Sequence, residues 1–252
     1  MAMERDILGW RARIGIVAPA TNTIVQPEME GFRPVGVTNH IGRIAVRNTP
    51  IASDADFLRL LDQLSEDMDR ALDDVAACKP DHLVIGVTSP MVRGGLETCV
   101  AQLDRIAQRT GIGATAGSMA LGRVLKGLGI GRIGLITPYQ PVMDMMLTDF
   151  MGEVGVSVAR LVTLRCPTPF AIAQVTEVDL RARIAEADMP EIEAWVQVGT
   201  NLAFSGLAND LSAQMGKPVV GVNAATYWEV MRVLGVTEEL PDLGPILATL
   251  PL

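Results

Sequence analysis

Thr88-Ser89-Pro90 closes the apolar run His82-Leu83-Val84-Ile85-Gly86-Val87, so two adjacent hydroxyls stand at an expected strand end. Serine followed by proline is a favoured helix start, with the hydroxyl as N-cap and the proline in the first turn. Capping alone would account for Ser89. Beside free backbone N–H groups, however, the same hydroxyls form a pocket for a carboxylate. They also suit the enediolate that develops when a proton or carbon dioxide leaves the neighbouring carbon. Thr200-Asn201 offers the same equipment later in the chain. Asn22, within Ala18-Pro19-Ala20-Thr21-Asn22-Thr23, has an amide that can donate to an anion or close an Asx-turn. Tyr139, one of 2 tyrosines, follows Thr137-Pro138 and can donate a hydrogen bond or act as an acid. The candidates are therefore Thr88, Ser89, Tyr139 and Thr200 for catalysis, with Asn22 and Asn201 for substrate binding.

Other residues are weaker candidates. Glu28, after Pro27, and Arg47 sit where a helix-start carboxylate and a strand-end cation have routine surface roles. Cys166 is the one thiol near an expected strand end, and nothing beside it in sequence would activate it. Met143, Met145, Met146 and Met151 follow Tyr139 on an expected helix, as core filler or as part of a pocket wall.

Strands and helices must bring these groups together. Apolar positions Leu60, Leu61, Leu64, Met68, Leu72 and Val75 recur at helical spacing, while Asp62, Glu66, Asp67, Asp69, Asp73 and Asp74 take the other face. Such a helix covers one side of a sheet. The short run 82–87 reads as a parallel strand buried on both faces. The pattern then repeats: Arg13-Ile14-Gly15-Ile16-Val17-Ala18-Pro19 returns 119 positions later as Arg132-Ile133-Gly134-Leu135-Ile136-Thr137-Pro138. Val46-Arg47-Asn48 matches Leu164-Arg165-Cys166, and Val84 to Ser89 matches Val196 to Asn201. Val124 to Gly129 matches Val230 to Gly235, where the offset has shrunk to 106. The fold class is α/β, with two pseudo-symmetric lobes, each a short, mainly parallel sheet flanked by helices. The lobes are residues 1–129 and 130–252, with the last helix free to return to the first. Ligands of open parallel sheets sit beyond the carboxyl ends of the strands, so an active-site cleft is expected between the lobes.

Composition bounds the partners. The chain has 252 residues, 49% hydrophobic and 20% charged, with a mean hydropathy of +0.30, which supplies a core and argues against disorder. A net charge of −8 with no Lys/Arg run makes nucleic acid an unfavourable partner. No stretch approaches a membrane span, and the charges in Met1 to Asp6 break up a signal-peptide pattern, so a cytoplasmic location is expected. The 3 cysteines form no Cys-x-x-Cys pair and the 2 histidines cannot build a His-rich cage, so neither a disulfide framework nor a metal site is expected. The proline-containing run Leu240–Leu252 reads as irregular chain packed on its own lobe or on another subunit of a homo-oligomer.

In this order and spacing the motifs resemble the aspartate/glutamate racemase superfamily, in the branch of arylmalonate decarboxylase and maleate isomerase. The resemblance rests on Ile14-Gly15-Ile16-Val17 with Pro19-Ala20-Thr21-Asn22-Thr23, on Thr88-Ser89 with Arg93-Gly94, and on Thr137-Pro138-Tyr139. Asn223-Ala224-Ala225-Thr226, with the helix running to Gly235, extends it over nearly the whole chain. It implies a cofactor-free site acting on a small carboxylic acid. Asn22 would contact a substrate carboxylate, Thr88 and Ser89 would form a dioxyanion pocket, and Tyr139 would bond the same group. The family's two thiols would be replaced, with Val87 or a neighbour at the first position and Thr200 at the second. A threonine hydroxyl is a far weaker acid than a thiol, which disfavours two-thiol racemisation and leaves proton delivery to Tyr139 or a bound water. Three functions follow: a decarboxylase-like lyase acting through an enediolate, a maleate-type isomerase with thiol-free chemistry, or a catalytically silent carboxylate-binding protein.

Overall fold

A computed structural model describes residues 7–250, so the charged segment Met1 to Asp6, read as breaking up a signal-peptide pattern, lies outside the described residues, as do Pro251 and Leu252. The first half runs β1 (Ala12–Pro19), α1 (Val25–Phe32), β2 (Val37–Ile44), α2 (Asp54–Ala76), β3 (His82–Ile85), α3 (Ser89–Val92), α4 (Gly95–Thr110), β4 (Ala114–Ala116) and α5 (Gly117–Gly127). The second runs β5 (Arg132–Thr137), α6 (Pro141–Glu153), β6 (Ser157–Thr163), α7 (Glu177–Ala187), β7 (Ala194–Gln197), α8 (Ser205–Met215), β8 (Val219–Gly221) and α9 (Val222–Val233), before α10 (Pro245–Thr249). Each half forms a four-stranded sheet, ordered β2-β1-β3-β4 and β6-β5-β7-β8, and every pairing is parallel. The identical strand order is the structural form of the sequence repeat. Among the described residues no helix is long and apolar enough to cross a membrane.

Local chemistry accounts for the elements. Ser53 caps α2 by accepting from the Asp56 N–H, and Asp54 and Asp56 occupy its first turn, where the helix dipole favours negative charge. Its apolar face is buried, while Asp69 and Asp73 pair outward with Arg105 and Arg109 of α4. Three boundaries differ from expectation. The strand read over 82–87 ends at Ile85, because Gly86 and Val87 turn out of the sheet toward α3. Helix α3 begins at Ser89 itself, so Thr88 holds the cap position that sequence gave to Ser89. The run expected to be irregular after Leu240 contains the short helix α10, whose start coincides with Pro245 in the first turn.

The two lobes supply each other's helix caps. Neither α4 nor α8 is capped by a side chain of its own. Glu28 of α1 reaches across the cleft and accepts from the N–H groups of Phe204 (3.0 Å) and Ser205 (2.9 Å), and its other oxygen accepts from Asn223 Nδ2 at 2.7 Å. In return, Glu153 of α6 accepts from the Leu96 N–H at the start of α4. Each carboxylate satisfies orphan donors at the positive end of a helix. Gly95 is required at the second contact, since its φ is +82° and a Cβ there would lie 2.8 Å from either Glu153 oxygen.

Helices α5 and α9 meet face to face between the lobes, and α9 also packs against α1, β3 and β4 of the first lobe. Gly117 permits the contact, because a Cβ there would come within 2.5 Å of Val222 Cγ2. Along this seam Arg123 pairs with the buried Glu229, 106 residues away, the offset that relates the adjoining segments 124–129 and 230–235. The partners therefore occupy equivalent places in the two halves. Burial pushes the Glu229 carboxyl up, and Arg123 opposes that shift. Arg123→Glu is expected to cost about 2–3 kcal/mol at neutral pH, below the value for a fully buried pair because Arg123 is half exposed. The loss should shrink on acidification, as Glu229 takes up a proton more readily than an ordinary carboxylate. Urea unfolding at neutral and mildly acidic pH measures both effects.

Candidate active site

The carboxyl ends of the two sheets face a common pocket enclosing about 570 Å³ with its mouth. The loop after β1 contributes Thr21 and Asn22, the turn after β3 contributes Val87 and Ser89, and the loop after β5 contributes Pro138, Tyr139 and Gln140. Cys166 and Pro169 follow β6, and Thr200 and Asn201 follow β7. Phe57, Leu60 and Leu64 of α2, with Val46, Ile51 and Ile172, make the remaining wall apolar. No charged side chain is among these lining residues. The roof is shared between lobes: the Ile51 N–H donates to Pro167 O at 2.7 Å, and the Phe170 N–H donates to Asn48 Oδ1 at 2.9 Å.

The structure brings all six sequence candidates, each buried, to this region, and five of them line the pocket. Thr88 lies behind the wall. Capping does not occupy the hydroxyls at α3, since Thr88 makes no side-chain cap bond and its Oγ1 has no hydrogen-bond partner. A buried hydroxyl without a partner is costly unless something else satisfies it. Thr88 and Ser89 both face the Tyr139 phenol. Burial pushes that phenol up to about 12, with the two hydroxyls acting in the opposite direction. The Tyr139 ring is held edge-on by Phe57, with centroids 5.5 Å apart. Thr88, Ser89 and Tyr139 thus form one cluster of neutral donors contributed by both lobes.

The other three candidates stitch the lobes together. Asn22 Oδ1 accepts from the Ile24 and Val25 N–H groups at 2.9 Å, starting α1, and its Nδ2 donates to Thr200 Oγ1 at 3.1 Å. Thr200 in turn donates to Gly86 O at 2.9 Å. Asn201 Oδ1 accepts from the Thr23 N–H, and its Nδ2 donates to Pro169 O at 2.9 Å and Thr21 O at 3.4 Å. Asn201 is thereby engaged by backbone at both ends of its amide, whereas Asn22 keeps one amide hydrogen directed outside these bonds.

Sequence reasoning gave little weight to several residues that matter here. Cys166 stands in the pocket wall with its thiol pushed up to about 11 by burial, so it is a neutral acid at physiological pH. Its position at the β6 end, in the segment aligned with Val46-Arg47-Asn48, was the available signal. Glu28 is the inter-lobe cap described above, a role invisible without the fold, and Arg47 stays exposed outside the pocket. Of the methionines on α6, Met143 and Met151 are core, Met145 is 61% exposed, and none lines the pocket.

Known proteins share this architecture. Over most of its length the chain resembles maleate isomerases, at 23% identity to that of Pseudomonas putida (94% of this chain, 97% of the relative) and 21% to that of Geobacillus stearothermophilus (94% and 97%). Among solved structures, a cysteine-to-alanine variant of the maleate isomerase of Pseudomonas putida S16 with maleate has a TM-score of 0.86 at 19% identity, covering 94% of this chain and 97% of that one. Arylmalonate decarboxylase has a TM-score of 0.71 at 18% identity, covering 93% and 98%. The family model described as arylmalonate decarboxylase matches residues 83–247, more than half of the sequence, and the chain belongs to this family.

Proposed function

We propose that the protein is a cofactor-independent lyase that removes carbon dioxide from a small dicarboxylic acid bearing an apolar side group, through an enediolate. The observation that carries this reading is the donor pair Ser89 and Tyr139, backed by Thr88 and facing an apolar wall in a pocket lined by no charged side chain. The retained carboxylate sits at the donor cluster, with the free hydrogen of Asn22 Nδ2 beside it. The wall of Phe57, Leu60 and Leu64 takes the side group and withholds water from the departing carboxylate, which favours its loss. As the carbon–carbon bond breaks, its electron pair moves onto the retained carboxylate, and neutral donors stabilise the new negative charge at that point. The α-carbon then takes a proton and the electron pair returns to form the new C–H bond.

That proton is assigned to the Cys166 thiol, whose thiolate is reprotonated from water. Thr200 is poorly suited, because its one hydrogen is already donated to Gly86 O. Tyr139 is better used as an oxyanion donor beside Thr88 and Ser89. On the resemblance, Val87 or a neighbour and Thr200 would occupy the positions of the family's thiols, which argues against covalent addition from those strand ends. A maleate-type isomerase is the second reading, favoured by the likeness over most of the chain to proteins of that name.

Incubating the protein with aryl- and alkylmalonates, maleate and hydroxy or amino dicarboxylates in D2O, followed by NMR, discriminates among these readings. Carbon dioxide loss with one deuterium gained at the α-carbon is expected. A cis-trans change would replace the lyase by the isomerase, and thermal stabilisation without chemistry would leave a binding protein. In the lyase, Tyr139→Phe and Ser89→Ala should each lower kcat by about 10²–10³, and Thr88→Ala, acting through the residues in front of it, by about 10-fold. Cys166→Ser should lower kcat by about 10² and erase any facial preference in deuteration. An unchanged rate and stereochemistry in Cys166→Ser would move the proton donor elsewhere.

A further inference from the structure

In each lobe an arginine from the second strand's carboxyl end holds the backbone carbonyl of a pocket residue carried by the first strand's loop. In the first lobe Arg43, on β2, donates from Nη1 to Asn22 O at 2.6 Å and to Pro19 O at 3.4 Å, and from Nη2 to Gln26 Oε1 at 2.8 Å. In the second lobe Arg165, just beyond β6, donates from Nη1 to Tyr139 O at 2.5 Å and also bonds the Asp144 carboxylate. Asp144 is buried, and its other oxygen accepts from Thr137 Oγ1, the last residue of β5. The two arginines are not at aligned positions of the repeat, yet each lobe has arrived at the same contact.

The second contact is made against a local cost. Arg165 has a φ of +51°, one of two non-glycine residues with positive φ among those described. Such backbone is unfavourable for a side-chain-bearing residue and persists where the surroundings over-determine it. Here the Cys166 N–H donates to Pro138 O at 2.9 Å and the Leu164 N–H to Thr137 O at 2.9 Å, so the two loops are tied on both sides of the strained residue. A glycine would relieve the backbone and lose the guanidinium. The planar fork of arginine can serve a carbonyl and a second acceptor at once, which the point charge of lysine does not reproduce.

We infer that Arg43 and Arg165 are matched positioning residues that fix the Asn22 and Tyr139 loops in register across the cleft, setting the carboxylate pocket of the lyase reading on which this inference rests. Neither guanidinium lines the pocket. Both act through the residues they hold, and sub-ångström misplacement of such groups is enough to cost a large part of the rate.

The test uses Arg43→Lys and Arg165→Lys in the full chain, with Arg165→Gly as a second variant. With only 2 tyrosines, 3-fluorotyrosine labelling gives one 19F resonance each, assigned through Tyr227→Phe. Arg165→Lys should shift or broaden the Tyr139 resonance and leave that of Tyr227. Arg43→Lys should speed amide hydrogen exchange at Ile24 and Val25, the N–H groups held by Asn22, by about 10-fold. On any substrate the wild type turns over, each Lys variant should lower kcat by about 10-fold or more with KM within about 2-fold, and added guanidinium ion should restore part of the loss in Arg165→Gly. Unchanged kcat in the Lys variants would overturn the inference. So would a uniform change at both tyrosines with a lowered melting temperature, which marks general destabilisation. If the wild type turns over nothing in the panel, the lyase reading fails, and the resonance and exchange results alone decide the positioning role.

Discussion

The cleft exists because each lobe leaves helix ends unsatisfied that only the other lobe can reach. Glu28 and Glu153 deliver carboxylates to the starts of α8 and α4, so separating the lobes would strip two helices of their caps together. The seam of α5 against α9 and the exchange among Asn22, Thr200 and Asn201 then operate inside a geometry already fixed at its edges. A pocket lying between two lobes is often adjustable. This one is braced on both flanks and across its floor, which suits a site whose donors must be in place before charge develops.

The pocket wall holds no charged side chain, so under the proposed lyase reading a carboxylate would be bound without a cation beside it. Local dipoles and hydroxyls take the place of a fixed charge, and this bears on which step the protein favours. A guanidinium in the wall would hold a ground-state carboxylate as firmly as the charge that develops from it, whereas neutral donors aimed at one point discriminate more between the two. The polar groups also divide into two sets. Asn201 and Thr200 are engaged in holding loops, while Thr88 Oγ1 has no partner and Ser89 and Tyr139 stand in the pocket wall. Hydroxyls and amides that looked equivalent as strand-end residues are thus separated by whether the fold itself uses them.

Much of this was legible in the sequence for a physical reason: burial on both faces of a parallel strand forces apolar runs, and duplication writes them twice. The 13–19 and 132–138 runs became β1 and β5, the centres of two sheets of identical order, and the helix marked by Leu60 to Val75 became the longer α2. The six candidate residues were found because strand ends in such sheets converge. What stayed hidden was set by contacts between residues far apart in the chain. Glu28 looked like an ordinary helix-start carboxylate because its partners, Phe204 and Ser205, lie some 176 residues away. The place of Cys166 in the pocket wall is not visible in its sequence neighbourhood, since it follows the positive-φ turn at Arg165 and the convergence of both lobes. The one-residue error at Ser89 arose because serine before proline is a sound cap signal, and here Thr88 takes the boundary without using its hydroxyl.

The ion pair of Arg123 and Glu229 has a further meaning for a chain made of two like halves. Had both repeats kept the same residue at that position, this contact would not distinguish a half docked on a copy of itself from one docked on its mate. With opposite charges at matched places, two first halves would set arginine against arginine and two second halves would bury a pair of carboxylates. The contact thus tells the two halves apart, favouring a first half against a second half over two like halves.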